Sequence, residues 1–314
     1  MKKLLTILLC IILIFACGCT ATYMDENGGD DISSLQDSSS GTSSSVFPLY
    51  FRYYDEPMLI RNPLTIETTP QQQPEYYAIS ALISGALGQR KEITDCFGKK
   101  TELISAKSEG EYLYVTLSDG FLSDTAGETE EQTRLNRKMA IYSIVNTVCE
   151  MGNHSFVQIY LSQNGVTLRP DSFEMGIAES KEASAPLGPL SRETSLILTP
   201  SNVVKRGLTL YSATQWSKLY YYLGDKDSAT QKLPILEEMT QDFQYLNLIM
   251  TDFSVEDNYT VSEDGKTAMV QATFRIRAKN TGYTVTNVPI EVVYKGRSWL
   301  ISYESFLRHL EVSG

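Results

Sequence analysis

The chain has 314 residues and a formal net charge of -11, long enough for two modest domains beyond a short targeting segment. So acidic a chain lacks the basic footprint that phosphate contacts need, which argues against nucleic acid as a partner. Its five cysteines are too few for a disulfide framework.

Lys2 and Lys3 open the chain, Leu4 to Phe15 is almost wholly apolar, and Ala16-Cys17-Gly18-Cys19 follows. A membrane-crossing helix needs about 20 apolar residues, so this shorter run reads as the core of a signal peptide. Residues 1–19 resemble a bacterial lipoprotein leader, which is cut just before a cysteine that then carries lipid. The resemblance implies lipidation at Cys17, preceded by Ile14-Phe15-Ala16, or at Cys19, preceded by Ala16-Cys17-Gly18. It implies an extracytoplasmic protein, held at the cell membrane through that cysteine. One acyl chain anchors weakly and two anchor stably. Residues 20–46 carry Asp25, Glu26, Asp30 and Asp31, then a run of Ser, Gly and Thr. They have little to bury and read as a disordered, solvated tether. The acidic spacing fits no calcium loop.

A first block is expected over 47–176. Leu49-Tyr50-Phe51 reads as a strand, and Asn62-Pro63 and Pro70 to Pro74 as loop punctuation. Pro74 suits the first turn of a helix. Ile79, Leu82, Ile83, Ala86 and Leu87 give that helix its apolar face, and Gly88 ends it. Thr101 to Ala106 and Tyr112 to Ser118 flank Glu109-Gly110 as a hairpin. A long helix is predicted over Glu130 to Met151, with acids at its start and Gly152 as its stop. Phe156 to Leu161 alternates as a strand before the turn Asn164-Gly165. The order is strand, helix, two strands, helix, strand, a small α+β sandwich.

This block resembles the GerMN domain, named for the spore germination protein GerM of endospore-forming bacteria. The resemblance lies in Leu49-Tyr50-Phe51, the helix with its late Ser84-Gly85, Thr101-Glu102-Leu103 and Tyr114 to Ser118. It continues through Ile144 to Val148, Val157 to Leu161 and the closing Gly165. The family often has proline after the helix glycine, where this chain has Ala86. The resemblance implies a non-enzymatic envelope lipoprotein of a spore-forming Gram-positive bacterium. Its partners would be envelope or sporulation-complex proteins, and the likeness to ring-building modules adds a homo-oligomer to that set.

Residues 177–202 read as a linker kept extended by Pro186, Pro189 and Pro200. A second block is expected over 203–311. Trp216, Leu219, Tyr220 and Leu223, then Ile235, Met239 and Phe243, follow helical spacing. Long alternating strands come next, with a turn at Lys295-Gly296-Arg297 and a last strand from Ser298 to Glu304. Helices followed by a curved antiparallel sheet resemble NTF2-like domains. Tyr220, Phe274 and Trp299 would line the cone of such a domain, either holding a small ligand or simply packing it.

No catalytic residue, metal ligand or cofactor motif stands out. His154 and His309 are both expected to face solvent, too sparse for a zinc site. There is no Gly-x-Ser-x-Gly elbow and no Gly-rich phosphate loop. Tyrosine is in excess: Tyr50, Tyr53, Tyr54, Tyr76, Tyr77 and Tyr220 to Tyr222. It suits a partner-binding surface on both blocks or ordinary half-buried positions. Cys96 and Cys149 could form one bridge or pack as separate thiols. The leading expectation is an assembly module in sporulation or germination. The alternative is an extracytoplasmic small-ligand-binding lipoprotein.

Overall fold

Tyr50 on the first strand faces Arg61 on the second, in a ladder running from Ser43 opposite Thr68 to Arg52 opposite Leu59. The computed structural model describes residues 41–85, 90–123, 127–278 and 281–311. The expected leader with Cys17 and Cys19, the expected tether up to residue 40, and Ala86 to Gly88 lie outside the described residues.

The first half opens with β1 (Ser43–Tyr53) and β2 (Leu59–Thr68). β1 begins inside the run read as tether, and β2 replaces an expected loop. Pro63 does not break β2, because it stands opposite Pro48 on a strand at the sheet's edge. Helix α1 (Pro74–Ile83) follows, then β3 (Ile93–Thr94), which completes a sheet of order β2-β1-β3. α1 ends earlier than expected, at Ser84-Gly85, where Gly85 takes a φ of 82° that glycine adopts without strain.

The second sheet has the order β4-β5-β6-β7, from β4 (Leu103–Glu109), β5 (Tyr112–Ser118), β6 (Phe156–Gln163) and β7 (Val166–Leu168). β5 and β6 are parallel, joined by the crossover helix α2 (Glu130–Met151). The Thr129 side chain caps α2 by accepting from the Gln132 N–H, and Gly152 ends it at a φ of 87°. α2 packs on β6 and on β1, so residues 139–141 and 143–148 are all buried. Ile141, Ile144, Val145 and Val148 are wholly buried, each stabilising the fold by about 2 kcal/mol. Toward β1 the helix is polar. Thr147 Oγ1 accepts from the Tyr50 N–H at 3.0 Å, and the Ser143 hydroxyl donates to the Tyr50 carbonyl. Two residues one turn apart thus satisfy both backbone groups of Tyr50.

Residues 177–202 lie across the first half as a strap. Leu190 pairs with Val157, and Leu198 N–H donates to the Leu59 carbonyl at 2.9 Å. The amide of Asn146, wholly buried, both donates to and accepts from the Glu193 backbone.

The second half starts with α3 (Pro200–Ser212), so Pro200 opens a helix rather than extending the strap; Thr199 caps it by accepting from Asn202 N–H. Then come α4 (Trp216–Leu219), β8 (Leu223–Gly224), α5 (Leu236–Leu246), β9 (Leu248–Val261), β10 (Thr267–Ala278), β11 (Thr281–Lys295) and β12 (Ser298–Ser302). The sheet order is β8-β12-β11-β10-β9, with irregular register at Ala272/Phe274 that bends the strands. The expected last strand stops at Ser302 and gives way to α6 (Tyr303–Glu311). Ser302 Oγ accepts from the Ser305 N–H, and Phe306, Leu307 and Leu310 supply a buried helical face. The architecture is α+β throughout, with three sheets. From Gly41 onward the two halves form one compact unit.

Candidate functional site

Glu150 sits in the last turn of α2, and three groups converge on its carboxylate. Arg61 Nε donates at 2.5 Å, Arg192 Nη2 donates at 2.7 Å, and the Tyr50 hydroxyl donates as well. Arg192 also donates to the Tyr50 oxygen at 2.8 Å and lies 5.8 Å from its ring centroid. β-pairing explains the assembly: Tyr50 and Arg61 are register partners, and Arg192 arrives on the strap. Burial and the Glu150 hydrogen bond push the Tyr50 hydroxyl well above its usual range, so it stays neutral.

This cluster forms one side of a cleft of about 520 Å³ between the two halves. Tyr259, Tyr294, Arg297 and Trp299 of the second half also line it. Tyr294 and Trp299 pack with ring centroids 5.0 Å apart, and Tyr294 is 45% exposed. Arg297 sits in the β11–β12 turn at a φ of 66°. Among the described residues, no hydrogen bond or ion pair engages its guanidinium. Arg90 of the first half holds the turn, donating to the Gly296 carbonyl at 2.8 Å and reaching Ser298 Oγ at 3.3 Å. The cleft offers planar donor forks and aromatic faces.

The tyrosines concentrate elsewhere between the halves. Tyr54 stacks on Tyr221 at 4.0 Å, Tyr53 meets Tyr222 edge-on at 5.4 Å, and the Tyr53 hydroxyl donates to the Tyr221 carbonyl at 2.5 Å. The tyrosine-rich segments of the two blocks therefore contact each other. Beside them lies Glu56, 1% exposed, paired with Arg206 and Lys218.

His154 does not face solvent. It is buried, with Nε2 3.0 Å from Ser108 Oγ and Nδ1 3.4 Å from Glu75 Oε1. The Ser108 hydroxyl donates to Gln73 Oε1 at 2.5 Å, and its proton is thereby engaged away from the imidazole. Ser108 lines none of the described cavities. The chain of contacts acts as a strut joining α1, β4 and the turn before β6. His309 is half-buried, with Nε2 3.0 Å from the Pro289 carbonyl.

Of the expected cone residues, Phe274 is 2% exposed inside the core and the Tyr220 hydroxyl donates to the Pro234 carbonyl at 3.1 Å. Trp299 lines the cleft, and no described cavity is lined by all three. Cys96 and Cys149 are free thiols. Among the described residues no group of three or more His, Cys, Asp or Glu side chains could hold a metal, and no helix is long and apolar enough to cross a membrane. Sequence reasoning missed Arg61, Glu150, Arg192 and Arg297, which no motif links.

Residues 48–168 match the family model described as Germane, sporulation and spore germination. No curated protein matches. Among solved structures, the tandem GerMN domains of the sporulation protein GerM from Bacillus subtilis are 14% identical, at a TM-score of 0.33, over 52% of this chain and 50% of that one. The chain thus spans about half the length of that structure. A Clostridium perfringens protein described as a lipoprotein is 18% identical over 41% of this chain and 80% of its own, at a TM-score of 0.25. A Campylobacter jejuni protein described as an NTF2-like transpeptidase is 13% identical over 33% of this chain and 97% of its own, at 0.23.

Proposed function

We propose that this protein, which carries a Germane domain over residues 48–168, is a lipid-anchored, non-enzymatic envelope protein. It serves as an interaction or assembly module in sporulation or spore germination. The family match carries the reading, joined to a leader that ends in Cys17 and Cys19. The lipidated cysteine holds the protein at the outer face of the cell membrane, and the folded unit meets envelope or sporulation-complex proteins there.

Deletion of the gene tests the role, with heat-resistant spore counts and germination rates as readouts. A defect in either is the expected result, and a strain normal in both would overturn the reading. Labelling with a fatty-acid analogue tests the anchor. Incorporation should vanish when Cys17 or Cys19 is changed to alanine, and label retained in the double variant would refute it.

A second reading, an extracytoplasmic ligand-binding lipoprotein, draws support from the cleft. Its arginines and aromatic rings are arranged for contact with a small molecule or a polymer end.

A further inference from the structure

We infer that the cleft between the two halves binds an anionic saccharide, a sugar ring bearing a carboxylate or a phosphate.

Charge points first to the anion. Across a chain of net charge -11, Arg61, Arg192 and Arg297 gather around one cleft whose lining includes a single carboxylate, Glu150. Glu150 is already shared by Arg61 and Arg192. Arg297 has no such partner among the described residues and keeps its planar fork for a ligand. Arg61 and Arg192 side chains are 50% and 38% exposed, so their outer N–H groups remain within reach of a ligand.

The walls point to a ring. Tyr294 and Trp299 offer adjoining aromatic faces, and Tyr259 of β9, 41% exposed, lines the same cleft. Such faces pack against the flat C–H surface of a sugar, while their polar tips bond its hydroxyls. About 520 Å³ is in the range of small-molecule sites. The framework is fixed before any ligand arrives: Glu150 and Tyr50 hold two of the arginines, and Arg90 holds the turn that carries the third.

The source of such a ligand, the polymers outside the membrane, rests on the envelope placement proposed above; the binding itself does not. The full chain with Trp216→Phe keeps Trp299 as its one tryptophan, a reporter inside the cleft. Three probes share one ring: N-acetylglucosamine, N-acetylmuramic acid with its carboxylate, and N-acetylglucosamine 1-phosphate. One or both anionic sugars should change Trp299 fluorescence saturably, and the neutral sugar should not. Which anion does so separates the carboxylate from the phosphate source. Arg297→Ala, on an exposed turn, should weaken binding about tenfold or more, and Tyr294→Ala should weaken it too. Arg277→Ala, on β10, should leave it unchanged. The inference falls if the neutral sugar binds equally well, if neither anion gives a saturable change, or if Arg297→Ala has no effect. A deletion strain with normal spores would overturn the assembly role and leave this measurement standing.

Discussion

The carboxylate of Glu56, 1% exposed in the first half, accepts from Arg206 of α3 in the second, with Nε at 2.8 Å from Oε2. Lys218 Nζ stands 3.3 Å from the other oxygen, and the Tyr222 hydroxyl 3.4 Å from the first. A buried carboxylate is tolerable only while its partners stay in place, so this pairing ties the halves together.

The two cations should not be equivalent. The Arg206 side chain is 21% exposed and Lys218 is 47% exposed. Arg206→Ala strips Glu56 of its direct fork and should cost about 3 kcal/mol. Lys218→Ala should cost under about 1 kcal/mol, because water screens it. Urea unfolding of both variants decides this, and equal losses would count against the ranking.

Thr147→Val removes the acceptor for the buried Tyr50 N–H while keeping the shape. An unsatisfied buried donor costs about 1–3 kcal/mol. Thr147→Ser keeps the oxygen and should lose much less. Thermal melts that rank Ser below Val would refute the role given to this hydroxyl.

Gly120 has no room for a side chain: an added Cβ would lie 1.9 Å from the Lys100 carbonyl oxygen. Gly120→Ala must shift backbone and should cost about 2 kcal/mol or more. Gly110 faces open space at a φ of 57°, so Gly110→Ala meets only the left-handed backbone penalty of about 1–2 kcal/mol. The contrast between the two variants in unfolding midpoint is the measurement.

Burial pushes the Cys96 thiol from 9.0 up to about 12, with Asp95 adding to the effect. The neutral thiol should therefore resist iodoacetamide at pH 8 in the native protein and react once it is unfolded. Because the unfolded thiol ionises first, this group's contribution to stability is present below about pH 9 and declines as pH rises toward 12. Mass spectrometry after timed alkylation checks it. Rapid native modification of Cys96 would show that its environment is not the one described.

Elements with local signals were legible in the chain. α2 was legible from the acids at its start and Gly152 at its end, and the structure adds Thr129 as its N-cap. β2 was not, because Pro63 signals a break and only its place opposite Pro48 on an edge strand makes it harmless. α6 was hidden because alternation persists to Ser302, the same residue whose hydroxyl caps the helix by accepting from the backbone N–H of Ser305. Tyrosine excess suited a partner-binding surface or half-buried positions, and in the fold Tyr53 and Tyr54 pack on Tyr222 and Tyr221 of the same chain. The cleft was illegible for a simpler reason. Arg61, Glu150, Arg192 and Arg297 belong to distant stretches, and only folding makes them neighbours.

Since Arg90 of one half fixes the turn that carries Arg297 on the other, the cleft needs both halves, whereas the first fold does not draw on Arg297. A descendant that kept residues 48–168 and exchanged its second half would preserve Arg61 and Glu150 yet lose Arg297, Tyr294 and Trp299. It would remain a recognisable cousin with its ligand site erased.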